Sequence, residues 1–265
     1  MHAQCRNYCR RDTCSRLDCM QCGWCNTTKS QIATAIRGIQ LLEEILGNCT
    51  GDGSFNLSNW TKWPAPFHIL DTGLATAVLE TLANQTLLDV GAGSGQYGAW
   101  FEEARRQHVA APEWRGVDGG ADVEEFTRKY GPPGSLTTQA NICDPALELK
   151  PSEWAMSLEV GEHLPSWCLV TYIRLLSRSA RRGLFLSWAH PGQAGHCHVS
   201  SRSERWVRES FGVFGWTADE TLTAKARAAA RLWYLKRNTF VFRRDRPARR
   251  HELRDDLQLP PWPAS

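Results

Sequence analysis

A short apolar run that ends in alternating glycines constrains this chain more than any other feature. Leu87-Leu88-Asp89-Val90 passes at once into Gly91-Ala92-Gly93-Ser94-Gly95. So brief a run, bounded by glycine, reads as a buried strand rather than a helix. Glycine accepts the positive φ of a sharp turn and leaves backbone bare for a ligand to approach. Behind it, Tyr97, Trp100, Phe101 and Ala104 share one helical face. A strand, a tight turn and a helix in that order present free N–H groups and the positive dipole end to an anionic group. A second run, Trp114-Arg115-Gly116-Val117-Asp118, ends in an acid placed to accept hydrogens from ribose hydroxyls.

The alternation continues. A weaker helix spans about 123–130, and strands are expected near 136–142, 154–158 and 184–188. A helix near 167–176 separates the last two strands. Alternation of this kind predicts an α/β fold: a doubly wound, mostly parallel sheet covered on both faces, with its ligand at the carboxyl ends of the strands. The literal Gly93-x-Gly95-x-x-Gly98 also fits a dinucleotide fingerprint, so an NAD(P)-binding oxidoreductase is one reading.

Three segments in order carry a resemblance. Asp89-Val-Gly-Ala-Gly-Ser-Gly95 resembles the first motif of class I S-adenosylmethionine-dependent methyltransferases. Gly116-Val-Asp118-Gly119 is similar to their ribose-binding segment, and Ser157-Leu-Glu-Val-Gly-Glu-His-Leu-Pro165 to the segment after their fourth strand. The resemblance covers about residues 68–244. It implies a seven-stranded Rossmann-like sheet closed by an antiparallel hairpin, here a helix over 222–235 and a strand over 239–242. It also implies S-adenosylmethionine as cofactor and methyl transfer to an oxygen or nitrogen acceptor, a small molecule or glycan. By the same resemblance Asp89, Gly91, Gly93, Gly95, Asp118 and Gly119 belong to the cofactor site. Asn141 stands where an acid usually meets the adenine amino group, and Asp144 is the alternative. Leu158 packs either on the cofactor or in the strand core.

Glu159, Glu162 and His163 form the sharpest remaining cluster. At a helix start their spacing places them on one face. Some methyltransferases with this pattern hold a divalent cation there, completed by a later His. His190, His196 and His198 follow in one Gly-containing loop, and His198 is the candidate fourth ligand. The plainer alternative is that the Glu-His pair only caps and orients the loop. Without a metal, His163 or His198 is the candidate general base.

The first residues have other chemistry. Six of the ten cysteines fall at 5, 9, 14, 19, 22 and 25. Disulfides are the first reading of this cluster and zinc the second. Five Asn-x-Ser/Thr triplets begin at Asn26, Asn48, Asn56, Asn59 and Asn84, where chance gives about one. Both features favour a secreted or lumenal glycoprotein. Against this, residues 1–11 hold no apolar signal core, which leaves a cytoplasmic protein or an incomplete start open. The division expected is a Cys-rich module at 1–30, a helix and linker at 31–66, the methyltransferase domain at 67–244 and a basic tail at 245–265. No run reaches the length of a membrane span. A net charge of +3 is too small to argue for nucleic acid. The competing non-catalytic reading is a scaffold or glycan-binding module built on the same fold.

Overall fold

A computed structural model describes residues 51–58, 64, 68–244 and 257–261. The Cys-rich module, the helical pattern from Ile32 to Leu46, Asn26, Asn48 and Asn59, and most of the basic tail lie outside the described residues. The chain divides into residues 1–48 and 49–265, and the architecture below belongs to the second unit.

Among the described residues, seven strands and seven helices alternate in the order expected of a doubly wound sheet. They run α1 (Thr72–Leu82), β1 (Thr86–Val90), α2 (Gln96–Arg106), β2 (Glu113–Asp118), α3 (Val123–Tyr130), β3 (Thr137–Gln139) and β4 (Ser152–Ser157). Then come α4 (Leu169–Ser179), β5 (Ala180–Ser187), α5 (Glu204–Val213), β6 (Thr217–Ala218), α6 (Glu220–Ala229), α7 (Trp233–Asn238) and β7 (Thr239–Arg243). The sheet order is β3-β2-β1-β4-β5-β7-β6. β1 to β5 pair in parallel, whereas β7 runs antiparallel between β5 and β6. The order reverses between β1 and β4, and a crevice at such a switch point is where open α/β sheets bind ligands.

Period-2 alternation sends neighbouring strand residues to opposite faces. Leu88, Val90, Ala155, Leu184 and Leu186 meet Tyr172, Ile173 and Leu176 of α4 and Trp206, Val207 and Phe211 of α5. Leu87, Trp154, Met156, Phe185 and Val241 face the other way, onto Leu74, Val78 and Leu82 of α1 and Tyr97 and Phe101 of α2. Both faces are therefore covered, which explains the near-continuous apolar strands.

The long helix expected over 222–235 is broken. α6 stops at Ala229, and α7 starts at Trp233. The cause lies far away in sequence: Asp71, fully buried, accepts the N–H groups of Arg231 and Leu232 at 2.8 and 2.7 Å. Its other oxygen caps α1 through Leu74 N at 2.9 Å. A charge-assisted pull on two amides outweighs an Ala-rich helical preference.

Residues 51–58, read as linker, pack onto the strand ends. Leu57 is buried with Val123 and Phe126. Its N–H donates to Asp122 Oδ1 at 2.7 Å, and Ala121 N donates to Asn56 Oδ1 at 3.2 Å. A disulfide joins Cys143, in the loop after β3, to Cys168 at the start of α4. Cys197 is also disulfide-bonded. Among the described residues no helix is long and apolar enough to cross a membrane.

Candidate active site

The cofactor half of the site is mostly backbone. Gly91, Gly93 and Gly95 adopt φ of +80, +52 and +71°, a region that disfavours side chains. Gly91 N and Ala92 N both donate to Val117 O, at 2.8 and 3.0 Å, which stitches the loop to the end of β2. Asp118 then holds the turn open with both oxygens: Oδ2 accepts Gly93 N at 2.9 Å and Oδ1 accepts Gly120 N at 2.8 Å. Side chains grown on Gly91 and Gly95 would run into Val160 and the Ser135 carbonyl. Those two glycines are therefore demanded by the protein's own packing.

Gly93 differs, because what lies over it is an imidazole. His68 sits against its Cα and accepts the N–H of Ser94 through Nδ1 at 2.9 Å. Burial holds the His68 pKa below its usual value, although the Asp118 carboxylate pulls the other way. The ring is neutral, with its proton on Nε2, since Nδ1 is the acceptor. Asp89, 3% exposed, accepts from Trp114 Nε1 at 3.1 Å. Burial raises its carboxyl pKa to about 7; the indole bond opposes this and the Asp118 charge adds to it.

Gly119 and Gly120 lie under the strap formed by residues 51–58, against Ser54 and the Phe55 carbonyl. Asn141 and Asp144 are both exposed, and each caps its own turn, through Cys143 N at 3.0 Å and Ala146 N at 2.8 Å. Leu158 is half-buried at the edge of the core on the α1 side.

The second half of the site lies beyond β4 and β5. Residues 159–164 form a turn rather than the expected helix start, closed by His163 N to Val160 O at 3.0 Å. Glu159 has φ +52°, and it lies beside Glu162 while facing Gln193 and Asn238. Its carboxylate receives Gln193 Nε2 at 3.3 Å and Asn238 Nδ2 at 3.2 Å. Asn238 also reaches Gln193 Oε1 at 2.9 Å. Glu162, His163 and His198 do converge, each offering a ligand atom within 4.8 Å of the others. Glu159 is not of that group.

Glu162 is fully buried, and neither carboxylate oxygen has a hydrogen-bond partner. Burial, and next the Glu159 carboxylate, push its pKa well up. His163 Nδ1 is likewise buried without a partner, and burial followed by the His198 ring holds its pKa down at about 4. The His163 and His198 rings meet edge to face at 4.9 Å, with Phe55 of the strap 5.2 Å from His163. His198 Nδ1 lies 3.1 Å from Gln193 O, so Nδ1 carries the proton and Nε2 keeps its lone pair. Of the other loop histidines, His196 packs 5.8 Å from Phe55, and His190 Nε2 is buried without a partner.

His68, Gln193 and Asn238 were not legible as site residues. Each reaches the site through a tertiary contact with no local spacing to announce it. Cys143 and Cys168 stand outside the N-terminal cluster, and that isolation was the signal for a second set of bridges.

No protein-family model matches the sequence, and no curated protein does. Solved structures do. The CcbJ methyltransferase from Streptomyces caelestis is 13% identical, with a TM-score of 0.50, covering 73% of this chain and 97% of its own. A magnesium protoporphyrin IX methyltransferase from Synechocystis, with bound S-adenosylmethionine, is 19% identical, with a TM-score of 0.45, covering 66% and 77%. A TehB-like methyltransferase from Corynebacterium glutamicum is 12% identical, with a TM-score of 0.47, covering 65% and 86%. With its seven-stranded sheet and antiparallel β7, the chain has the fold of the class I S-adenosylmethionine-dependent methyltransferases.

Proposed function

We propose that this chain is an S-adenosylmethionine-dependent methyltransferase acting on an oxygen or nitrogen acceptor. The observation that carries the reading is the joint geometry of Asp118 and the glycine loop at the switch point. Both carboxylate oxygens of Asp118 are held by backbone amides, and each keeps lone pairs for a ribose hydroxyl. The Ser94 N–H, at the start of α2, faces a neutral His68 and suits a ligand carboxylate. These residues fit the cofactor. When bound, it supplies a methyl group on a positively charged sulfur. The protein's part is to hold donor and acceptor in line, exclude water and take a proton where the acceptor must lose one. His198, oriented by the Gln193 carbonyl with Nε2 free, is placed for that last role, with His163 behind it.

Titration calorimetry tests the assignment. S-adenosylmethionine should bind and NAD should not, and Asp118→Ala should weaken binding by about 1–3 kcal/mol through the loss of charge-assisted hydrogen bonds. Binding of NAD alone would overturn the reading; binding of neither would favour the scaffold.

The convergence of Glu162, His163 and His198 favours one addition, a divalent cation. A buried carboxylate without a partner and two imidazole nitrogens form a mixed donor set suited to Zn²⁺ or Mn²⁺. A cation there would polarise an acceptor hydroxyl or amine. Metal analysis of purified protein should find it in the wild type and lose it in His198→Ala. An equal metal content in both would remove the cation and leave a capping pair. The buried Cys143–Cys168 bridge and the bonded Cys197 support a secreted or lumenal location, since cytosolic thiols are kept reduced.

A further inference from the structure

We infer that the acceptor is an amine that enters as a cation and is bound by Glu159, Gln193 and Asn238. This rests on the methyltransferase reading and adds the chemical class of the acceptor. The three side chains come from three elements: the turn after β4, the loop after β5 and the last residue of α7. They meet around Glu159, whose carboxylate takes Gln193 Nε2 at 3.3 Å and Asn238 Nδ2 at 3.2 Å. Asn238 is 0% exposed, yet its Oδ1 has no donor. The buried carboxyl of Glu162 lies beside Glu159, and the Glu159 charge is, after burial, a cause of its raised pKa. Among the described residues no Lys or Arg pairs with Glu159 or Glu162. Tyr234, also on α7, has its hydroxyl pKa pushed up to about 12 by burial and then by Glu159 and Asp71.

Buried acceptors left without donors, next to uncompensated negative charge, ask for a ligand that donates hydrogen bonds and is positive. An ammonium group is both: it has three donors and no acceptor. A carboxylate or phosphate acceptor would be repelled. A neutral hydroxyl would satisfy one oxygen and leave the charge standing. Glu159 draws the ammonium in, and one N–H proton leaves to water to free the nitrogen lone pair. That lone pair forms the new C–N bond as the C–S bond to the methyl breaks, and the C–S electron pair stays on sulfur. The product is a methylated ammonium and a neutral thioether.

The test uses matched pairs on the full chain loaded with S-adenosylhomocysteine: glucosamine with glucose, and tyramine with its alcohol analogue. Calorimetry at neutral pH should show at least one amine binding about tenfold tighter than its alcohol, an advantage that shrinks with salt. Glu159→Gln keeps the shape and one oxygen to accept from Gln193 or Asn238, and should abolish that preference while S-adenosylhomocysteine still binds. Labelled methyl from the donor should then appear on the nitrogen. If neither amine outbinds its alcohol partner, or if Glu159→Gln leaves the preference intact, the inference fails. Failure of S-adenosylhomocysteine to bind is a different result: it overturns the methyltransferase reading, while amine selectivity is still read on the unloaded protein. Should Glu159→Gln not fold, the salt dependence and the amine-to-alcohol ratio of the wild type decide alone.

Discussion

The two halves of the site are built on opposite plans. At the ends of β1 and β2, the residues of the cofactor seat each have a partner: both Asp118 oxygens accept a backbone amide, Asp89 accepts the Trp114 indole N–H, and the Ser94 N–H meets His68. Beyond β4 and β5, polar atoms are buried without partners, among them both Glu162 oxygens, His163 Nδ1, His190 Nε2 and Asn238 Oδ1. Burying such atoms is costly, by about 1–3 kcal/mol each. The first half is a preformed seat that tolerates an absent ligand. The second half holds its donors and acceptors ready for something that completes them.

The largest expected effect tests whether the preformed half has a hidden weak point. Asp89 titrates near 7 when folded, against a usual value of 3.8. Below the unfolded value both states carry the proton, and no penalty arises. Between about pH 4 and 7 only the unfolded state has lost it, so stability falls as pH rises, and above 7 the full penalty of ionising a buried carboxyl remains. Asp89→Asn removes this term: it should be worth about 4 kcal/mol at pH 8 and little at pH 4 by urea unfolding. An equal effect at both pH values would show that Asp89 is not the titrating group.

A smaller effect falls on the loop that borders both halves. Replacing Cys143 and Cys168 by Ser opens a loop with a sequence separation of 25, which costs about 3 kcal/mol by chain entropy. The unfolding free energy from urea titration should fall by that amount in unloaded protein, seen as a lower midpoint. An unchanged midpoint would mean the bridge adds nothing to the core it sits in.

The smallest concerns His68. Its Nδ1 occupies the Ser94 N–H that a cofactor carboxylate would need. His68→Ala should therefore tighten S-adenosylmethionine binding about fivefold, the worth of one net hydrogen bond. Weaker binding would make His68 part of the seat rather than a placeholder for the ligand.

The unequal legibility of the halves follows from the same contrast. The glycine loop and Asp118 are local: a strand, a turn and an acid at fixed spacing, whose backbone conformation is set within a few residues. The mostly parallel sheet followed from the alternation of elements, and the closing antiparallel strand from the resemblance to class I methyltransferases. The other half depends on where distant chain ends meet. Glu162, His163 and His198 could be picked out by residue type, but the helical face that was to unite Glu162 and His163 with Glu159 does not exist, because residues 159–164 turn instead. Asn238 gave no sign in the sequence, since its place is fixed by a helix break at Ala230 that Asp71 imposes from 160 residues away. The strap at 51–58 read as linker because its Gly, Asn and Ser content reflects turns, and those turns pack onto Asp122 and His163.

The central claim is that the cofactor sits on the glycine loop and the acceptor in the unsatisfied half. Amide NMR of labelled protein tests this most directly. Titration with S-adenosylmethionine should move the backbone amides of Gly93, Ser94, Gly119 and Gly120 to saturation and leave the side-chain amides of Gln193 and Asn238 nearly still. Addition of glucosamine or tyramine should then move Gln193 and Asn238. Saturating shifts at Gln193 and Asn238 on addition of S-adenosylmethionine, with Gly93 and Ser94 unmoved, would contradict the account.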